Sequence, residues 1–147
     1  MQITKHNPAA VTLEVPAKST ERLSIMLSSD IHFDSMVCDL KLFREHLKLA
    51  ESQQSPVLIA GDLLDAMQGK FDPRRKPEDL KQQYAVSAYY DAIVMDCARF
   101  LSEFDIPVYI LALGNHETSV LRNSNTDLLG NVAYQLRVEH GKQAISM

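Results

Sequence analysis

Three short runs of apolar residues stand out along the chain, at residues 23–27, 56–60 and 106–113. Each run is too short for an independent helix and is rich in Val, Ile, Leu or Tyr, which is typical of a buried strand. Two longer stretches with helical spacing of apolar residues separate the runs. The order strand, helix, strand, helix, strand predicts an α/β fold with a βαβαβ parallel-sheet core.

The first helical stretch places its apolar residues along one face. These residues are Val37, Leu40, Phe43, Leu47 and Ala50. The second stretch spans about residues 78–104 and follows a loop at residues 70–77, which contains a basic run at residues 74–76. That run is either a solvated loop or a segment that approaches an anionic substrate.

The length of 147 residues fits a single domain, residues 1–147, with a packed core. Residues 1–20 are expected to form an arm with an edge strand at 10–15, ended by Pro16. Residues 118–147 are expected to form a helical tail, in which the apolar spacing from 118 to 138 fits one helix or a broken pair.

Composition and charge argue against several classes of protein. A net charge of -4 argues against a broad basic surface that tracks nucleic acid duplexes. The two cysteines, Cys38 and Cys97, are far apart and favour free buried thiols over a disulfide or a zinc site. The N-terminus lacks the apolar segment of a signal peptide, and no apolar run approaches the ~18 residues of a membrane span. We therefore expect a cytoplasmic protein without a membrane partner.

Polar clusters follow all three predicted strands. They are Asp30-Ile31-His32, then Gly61-Asp62-Leu63-Leu64-Asp65, then Gly114-Asn115-His116-Glu117. Ligands of open parallel α/β sheets bind beyond the carboxyl ends of the strands, so these clusters can converge on one point.

Carboxylates, imidazoles and an amide oxygen together suit Mn, Fe or Zn. The one-residue gap between Asp30 and His32 lets both side chains bind one ion, because strand side chains alternate. Gly61 frees the approach to Asp62, the candidate bridging ligand, and Asn115 can bind a second ion as a neutral ligand. His116 is then available for proton transfer.

The motifs D-x-H, G-D-x-x-D and G-N-H-E, in this order over residues 23–118, resemble the signature of the calcineurin-like metallophosphoesterase superfamily. The resemblance implies an α/β sandwich and hydrolysis of phosphate mono- or diesters by a hydroxide between two divalent ions. It implies Asp30, His32, Asp62 and Asn115 as metal ligands and His116 as the catalytic group near the leaving oxygen. It also implies that Glu117 orients His116 and that Asp65 lies behind the ligands. The substrate would be a phosphate ester such as a nucleic acid or nucleotide.

The chain departs from the superfamily pattern after the third motif. The pattern continues with a lone histidine and a G-H-x-H element, and the only later histidine here is His140, in a helical pattern. The sandwich is therefore expected to be incomplete. Two interpretations stay open: a truncated phosphoesterase, or a non-catalytic fragment or decayed scaffold that binds one metal ion or a partner.

Each motif also has an ordinary structural explanation. Asp30 and His32 suit a surface loop, Asp62 a helix N-cap and Asp65 a first-turn acid. Asn115 and His116 suit an ordinary turn. A response-regulator-like or nucleotide-binding domain would also place acids at strand ends, but it would need a Gly-rich phosphate loop or a suitably placed lysine. The sequence has no such loop. The co-occurrence of three clusters at three strand ends favours the metal site.

Overall fold

The computed structural model describes residues 1–16, 22–68, 75 and 77–147. Its central sheet has four parallel strands in chain order: β3 (Met26–Ser28), β4 (Val57–Ala60), β5 (Tyr109–Ala112) and β6 (Ala144–Ser146). The predicted α/β class with a parallel sheet is therefore confirmed. The first strand is shifted from the predicted residues 23–27, because Leu23 and Ile25 are half exposed and only Met26 begins the pairing with β4.

The two faces of the sheet differ in burial. Val57, Ile59, Tyr109 and Leu111 are all 0% exposed and belong to the main hydrophobic core. The alternate residues form a row across the sheet, from Leu27 through Leu58 and Ile110 to Ile145. Leu27, on β3 at the edge of this sheet, is 69% exposed. The helices therefore bury one face of the sheet, and the opposite row is less covered.

The helix α1 (Leu40–Ser52) connects β3 to β4. Asp39 caps its start by accepting the N–H of Leu42 at 2.9 Å, which satisfies one of the free first-turn donors. Phe43, Leu47 and Ala50 are buried, as the apolar spacing predicts. Val37 does not belong to this face, since it precedes the capped start and is 89% exposed.

The helix α2 (Tyr89–Ser102) is shorter than the predicted stretch of residues 78–104. Two single turns of 3-10 helix, Pro77–Asp79 and Gln82–Tyr84, precede it. The extended bridge between Leu80 and Ser35 prevents a continuous helix here. Of the predicted loop at 70–77 and its basic run, residues 70–74 and 76 lie outside the described residues.

The chain after β5 forms α3 (Asn115–Ser124) and α4 (Leu128–Val138), which confirms the alternative of a broken pair. The break lies at Asn125, which has a left-handed backbone with φ 50°. The predicted helical tail is wrong at its end, because Ala144–Ser146 form β6. The N–H of Tyr109 donates to the carbonyl of Gln143 at 2.8 Å, so the free edge of β5 recruits this segment.

The N-terminal arm is an antiparallel hairpin of β1 (Gln2–Asn7) and β2 (Ala10–Glu14). The second strand matches the prediction at residues 10–15, and the first was not predicted. The side chain of Asn7 accepts the N–H of Ala9 at 2.8 Å and fixes the turn between them. Lys5 Nζ donates to the carbonyl of Ser146 at 2.7 Å, which connects the hairpin to β6.

Among the described helices, none has both the length and the apolar character that crossing a lipid bilayer requires. Both cysteines are free thiols, as predicted, with Cys97 buried and Cys38 half-buried.

Candidate metal centre

The loops after β3 and β4 lie side by side at the carboxyl end of the sheet. The N–H of Asp30 donates to the carbonyl of Gly61 at 3.1 Å, and the N–H of His32 donates to the carbonyl of Asp62 at 3.0 Å. The N–H of Phe33 continues the series to Leu63 at 2.8 Å. These bonds fix the first motif against the second, so residues about thirty positions apart share one rim.

Asp30, His32 and Asp62 all have left-handed backbones, with φ values of 55°, 49° and 50°. Only a few per cent of non-glycine residues adopt this conformation, and each costs on the order of 1–2 kcal/mol. Such strain is concentrated at functional sites, where the surrounding structure maintains it. Three of the six non-glycine residues with a positive φ in the described part of the chain are the residues predicted to hold the first metal ion; the others are Gln54, Ala66 and Asn125.

The side chains of these three residues converge. One potential ligand atom from each of Asp30, His32 and Asp62 lies within 4.8 Å of the others. Asp62 is 7% exposed, and Asp30 is exposed to solvent. Two carboxylates at this separation repel each other unless a cation lies between them, and a mixed O/N set suits a divalent transition metal. The residues present therefore fit a metal ion.

Asp65 contacts both histidines of the site. Its carboxylate Oδ1 lies 3.0 Å from His32 Nδ1 and 3.6 Å from His116 Nδ1, and its backbone carbonyl lies 2.7 Å from His116 Nδ1. A carbonyl oxygen can only accept, so His116 carries a proton on Nδ1, and its Nε2 has no hydrogen bond with another described residue. His32, Asp65 and His116 form a second group of potential ligand atoms, also within 4.8 Å of one another.

Glu117 is fully buried at 0% exposure and binds the backbone of two loops. Its Oε2 accepts the N–H of Asp62 at 3.1 Å and of Gly114 at 3.0 Å, and its Oε1 accepts the N–H of Leu64 at 2.9 Å. Burial raises the pKa of this carboxyl, while the N–H donors of Leu64 and Gly114 act in the opposite direction. Glu117 was expected to orient His116, but its described hydrogen bonds are with backbone N–H groups. The ring nitrogen of His116 contacts Asp65 instead.

Gly114 allows the third motif to touch the second. A Cβ on Gly114 would overlap both Oδ1 and the backbone N of Asp62. Asp62 Oδ1 also accepts the N–H of His116 at 2.9 Å. Gly61, with φ 102°, approaches Gly114 closely enough that a Cβ on it would lie 2.8 Å from the Gly114 Cα. Each glycine is therefore required by close backbone approach.

Asn115 is the first residue of α3 and is exposed. It directly follows Gly114 and therefore lies beside the Asp62 loop. Together with Gly114 it lines an open cavity of about 590 Å³. The predicted ligand of a second ion therefore lies between two residues, Gly114 and His116, whose backbones approach Asp62.

The buried Asp34 was not singled out by the sequence. It is 2% exposed, and its carboxylate accepts the backbone N–H of Asp65 at 2.7 Å and of Ala66 at 3.1 Å. The hydroxyl of Tyr89, at the start of α2, donates to the same carboxylate at 2.6 Å. Desolvation raises the pKa of Asp34, and the Tyr89 hydrogen bond opposes this shift. Its signal in the sequence is its spacing: one residue separates Asp34 from His32, just as one residue separates His32 from Asp30.

A family model for calcineurin-like phosphoesterases matches residues 23–142 of the chain. Comparisons with curated proteins and with solved structures found no significant match. The family match covers most of the chain and all three motifs, and it agrees with the parallel sheet and the convergent ligand atoms. The chain belongs to the calcineurin-like phosphoesterase family.

Proposed function

We propose that the chain hydrolyses phosphate esters with the help of two divalent metal ions, with manganese, iron or zinc as the candidates. The observation that carries the proposal is the convergence of Asp30, His32 and Asp62 in strained left-handed conformations. If these residues formed only a turn, a right-handed backbone or a glycine at each position would make the protein more stable. Strain at three potential ligands supports a site built for a metal.

In this proposal Asp30, His32 and Asp62 would hold the first ion, and Asp62 and Asn115 would hold the second. When bound, such ions polarise the phosphate and lower the pKa of water toward neutrality. Asp65 contributes by fixing the rings of His32 and His116 through their Nδ1 atoms. Glu117 holds the Asp62 and Gly114 loops together through their backbone N–H groups.

His116 is the proposed proton donor. Because its Nδ1 faces the carbonyl of Asp65, the proton that can be exchanged with substrate is at Nε2. A protonated ring would give this proton to the leaving alkoxide. His116→Asn should therefore lower kcat more than it weakens metal binding.

The test is hydrolysis of bis(p-nitrophenyl) phosphate with and without manganese. Asp62→Asn keeps the size of the side chain and tolerates the left-handed backbone, but removes a charge from the proposed bridging position. It should lower kcat/KM more than a hundredfold, since loss of even an outer partner of a metal site costs about 10–100-fold. Asp91→Asn, at an exposed acid on α2, is the matched control and should keep full activity. Activity that survives a chelator, or equal rates in the two variants, would refute the proposal.

A second candidate function is a module that binds one metal ion without catalysis. His140, the only later histidine, is exposed and lines a separate cleft with Gln83, Met95 and Arg99. The second ion would then have only Asp62 and Asn115 as ligands from the chain. Native mass spectrometry with manganese distinguishes the two candidates: two bound ions with turnover support the phosphoesterase, and one ion without turnover supports the binding module.

A further inference from the structure

A polar cavity opens beside the candidate metal centre, next to Asn115. Its volume is about 590 Å³, and its polar side chains come from α3: Asn115, Thr118, Ser119, Arg122 and Asn123. Among the residues that the structure describes, no acidic side chain lines it. A cavity with one cation, several neutral hydrogen-bonding groups and no acid is suited to an anionic group.

The lining residues share one face of α3. Asn115, Ser119 and Arg122 are spaced at four and three residues, so they lie above one another along the helix. The opposite face is buried through Glu117 and Val120. Over seven residues the helix rises roughly 10 Å, and an arginine side chain leans back toward the N-terminus. The guanidinium of Arg122 can therefore reach an anion held a short distance from Asn115.

Arg122 has no ion pair or hydrogen bond with another described residue. By contrast, Arg44 pairs with Glu103, Arg99 pairs with Asp96, and Arg137 donates to the carbonyl of Ala144. A guanidinium that no described residue engages is available to bind a phosphate through two parallel hydrogen bonds.

We propose that this cavity binds a second phosphate of the substrate, next to the phosphate that is hydrolysed, with Arg122 as its main ligand. The inference rests on the proposed function, and it assigns the substrate class: the end or a short stretch of a single nucleic acid strand. The helix rises roughly 10 Å between Asn115 and Arg122, whereas directly bonded phosphates lie side by side, so a strand with spaced phosphates fits the cavity better. The net charge of -4 favours such a local contact over a broad duplex surface.

The test uses three dinucleotides that differ by one phosphate: TpT, pTpT and TpTp. Hydrolysis with manganese gives KM for each, and calorimetry gives the dissociation constants. We expect pTpT or TpTp to bind roughly tenfold more tightly than TpT, as one charge-assisted contact would provide. Arg122→Gln should abolish this advantage, and Arg122→Lys should restore part of it, because lysine keeps the charge without the planar fork.

Lys48→Gln is the matched control, since it removes one positive charge from an exposed position on α1. It should keep the preference for the additional phosphate. If Arg122→Gln weakens all three dinucleotides equally, or none, the second-phosphate site is refuted while hydrolysis still supports the phosphoesterase. If no dinucleotide is hydrolysed but the Arg122-dependent preference in binding persists, the proposed catalytic function fails and the binding site stands.

Discussion

Glu117→Gln tests whether the buried carboxylate holds the metal loops in place. The wild-type side chain accepts three backbone N–H groups, two at Oε2 and one at Oε1. Glutamine has the same shape but only one acceptor oxygen, because its other terminal atom is an NH2 group. The least costly orientation of the glutamine side chain lets its oxygen accept the N–H groups of Asp62 and Gly114. The NH2 group then faces the N–H of Leu64, and two donors oppose each other.

The expected cost follows from that count. One buried N–H without an acceptor costs about 1–3 kcal/mol. The neutral amide avoids the burial of charge that raises the pKa of Glu117, which offsets part of this cost. We therefore expect a net loss of about 1–2 kcal/mol in the free energy of unfolding. For a chain of this length, each kcal/mol corresponds to a decrease in Tm of roughly 2–4 °C.

Thermal and urea unfolding followed by circular dichroism measure the loss in the metal-free protein. Glu45→Gln, an exposed position on α1 with the same chemical change, is the control and should stay within about 0.5 kcal/mol of wild type. Manganese affinity should also fall in Glu117→Gln, because the N–H of Asp62 shares the affected carboxylate. Equal stability of Glu117→Gln and Glu45→Gln would refute the reasoning.

Three further variants or measurements test other contacts. Tyr89→Phe removes the hydroxyl that donates to Asp34 and should cost about 1–3 kcal/mol in urea unfolding; wild-type stability would show that the buried carboxylate does not need this donor. Gly114→Ala places a Cβ against Asp62 and should lower both the Tm and the manganese affinity measured by calorimetry, and unchanged affinity would contradict the close approach. Burial raises the pKa of the Cys97 thiol, which lowers its thiolate fraction at pH 8, so a disulfide reagent should modify it only after unfolding. Rapid modification of this thiol in the native protein would contradict its burial.

The strands that carry the site were predictable because their apolar runs are local signals. The run at residues 56–60 corresponds to β4 (Val57–Ala60), and the run at 106–113 contains β5 (Tyr109–Ala112). The strand β6 has no comparable signal in its three residues. It forms because β5 offers unpaired backbone groups, for example the carbonyl of Leu111, which accepts the N–H of Met147 at 2.8 Å.

The candidate ligands were predictable for a similar reason, since Asp30, His32 and Asp62 follow strands in recognisable motifs. The supporting contacts were not. The spacing of Asp34 after His32 marks it as a candidate acid, but its role depends on the packing of the Asp65 loop and Tyr89 around it, which that spacing does not encode. The roles of Asp30, His32, Asp62, Asn115 and His116 in metal binding and catalysis stay predictions until the variants are measured.

The backbone contacts of Glu117 span 53 and 55 residues of sequence, and they determine when the site can form. Contacts between such distant segments require large loops to close, which slows folding of parallel sheets relative to helical bundles. During synthesis, the first two motifs leave the ribosome well before Glu117 does. The binding rim therefore stays unassembled until Glu117 has been synthesised, and metal capture in the native geometry must follow the arrival of β5 and α3.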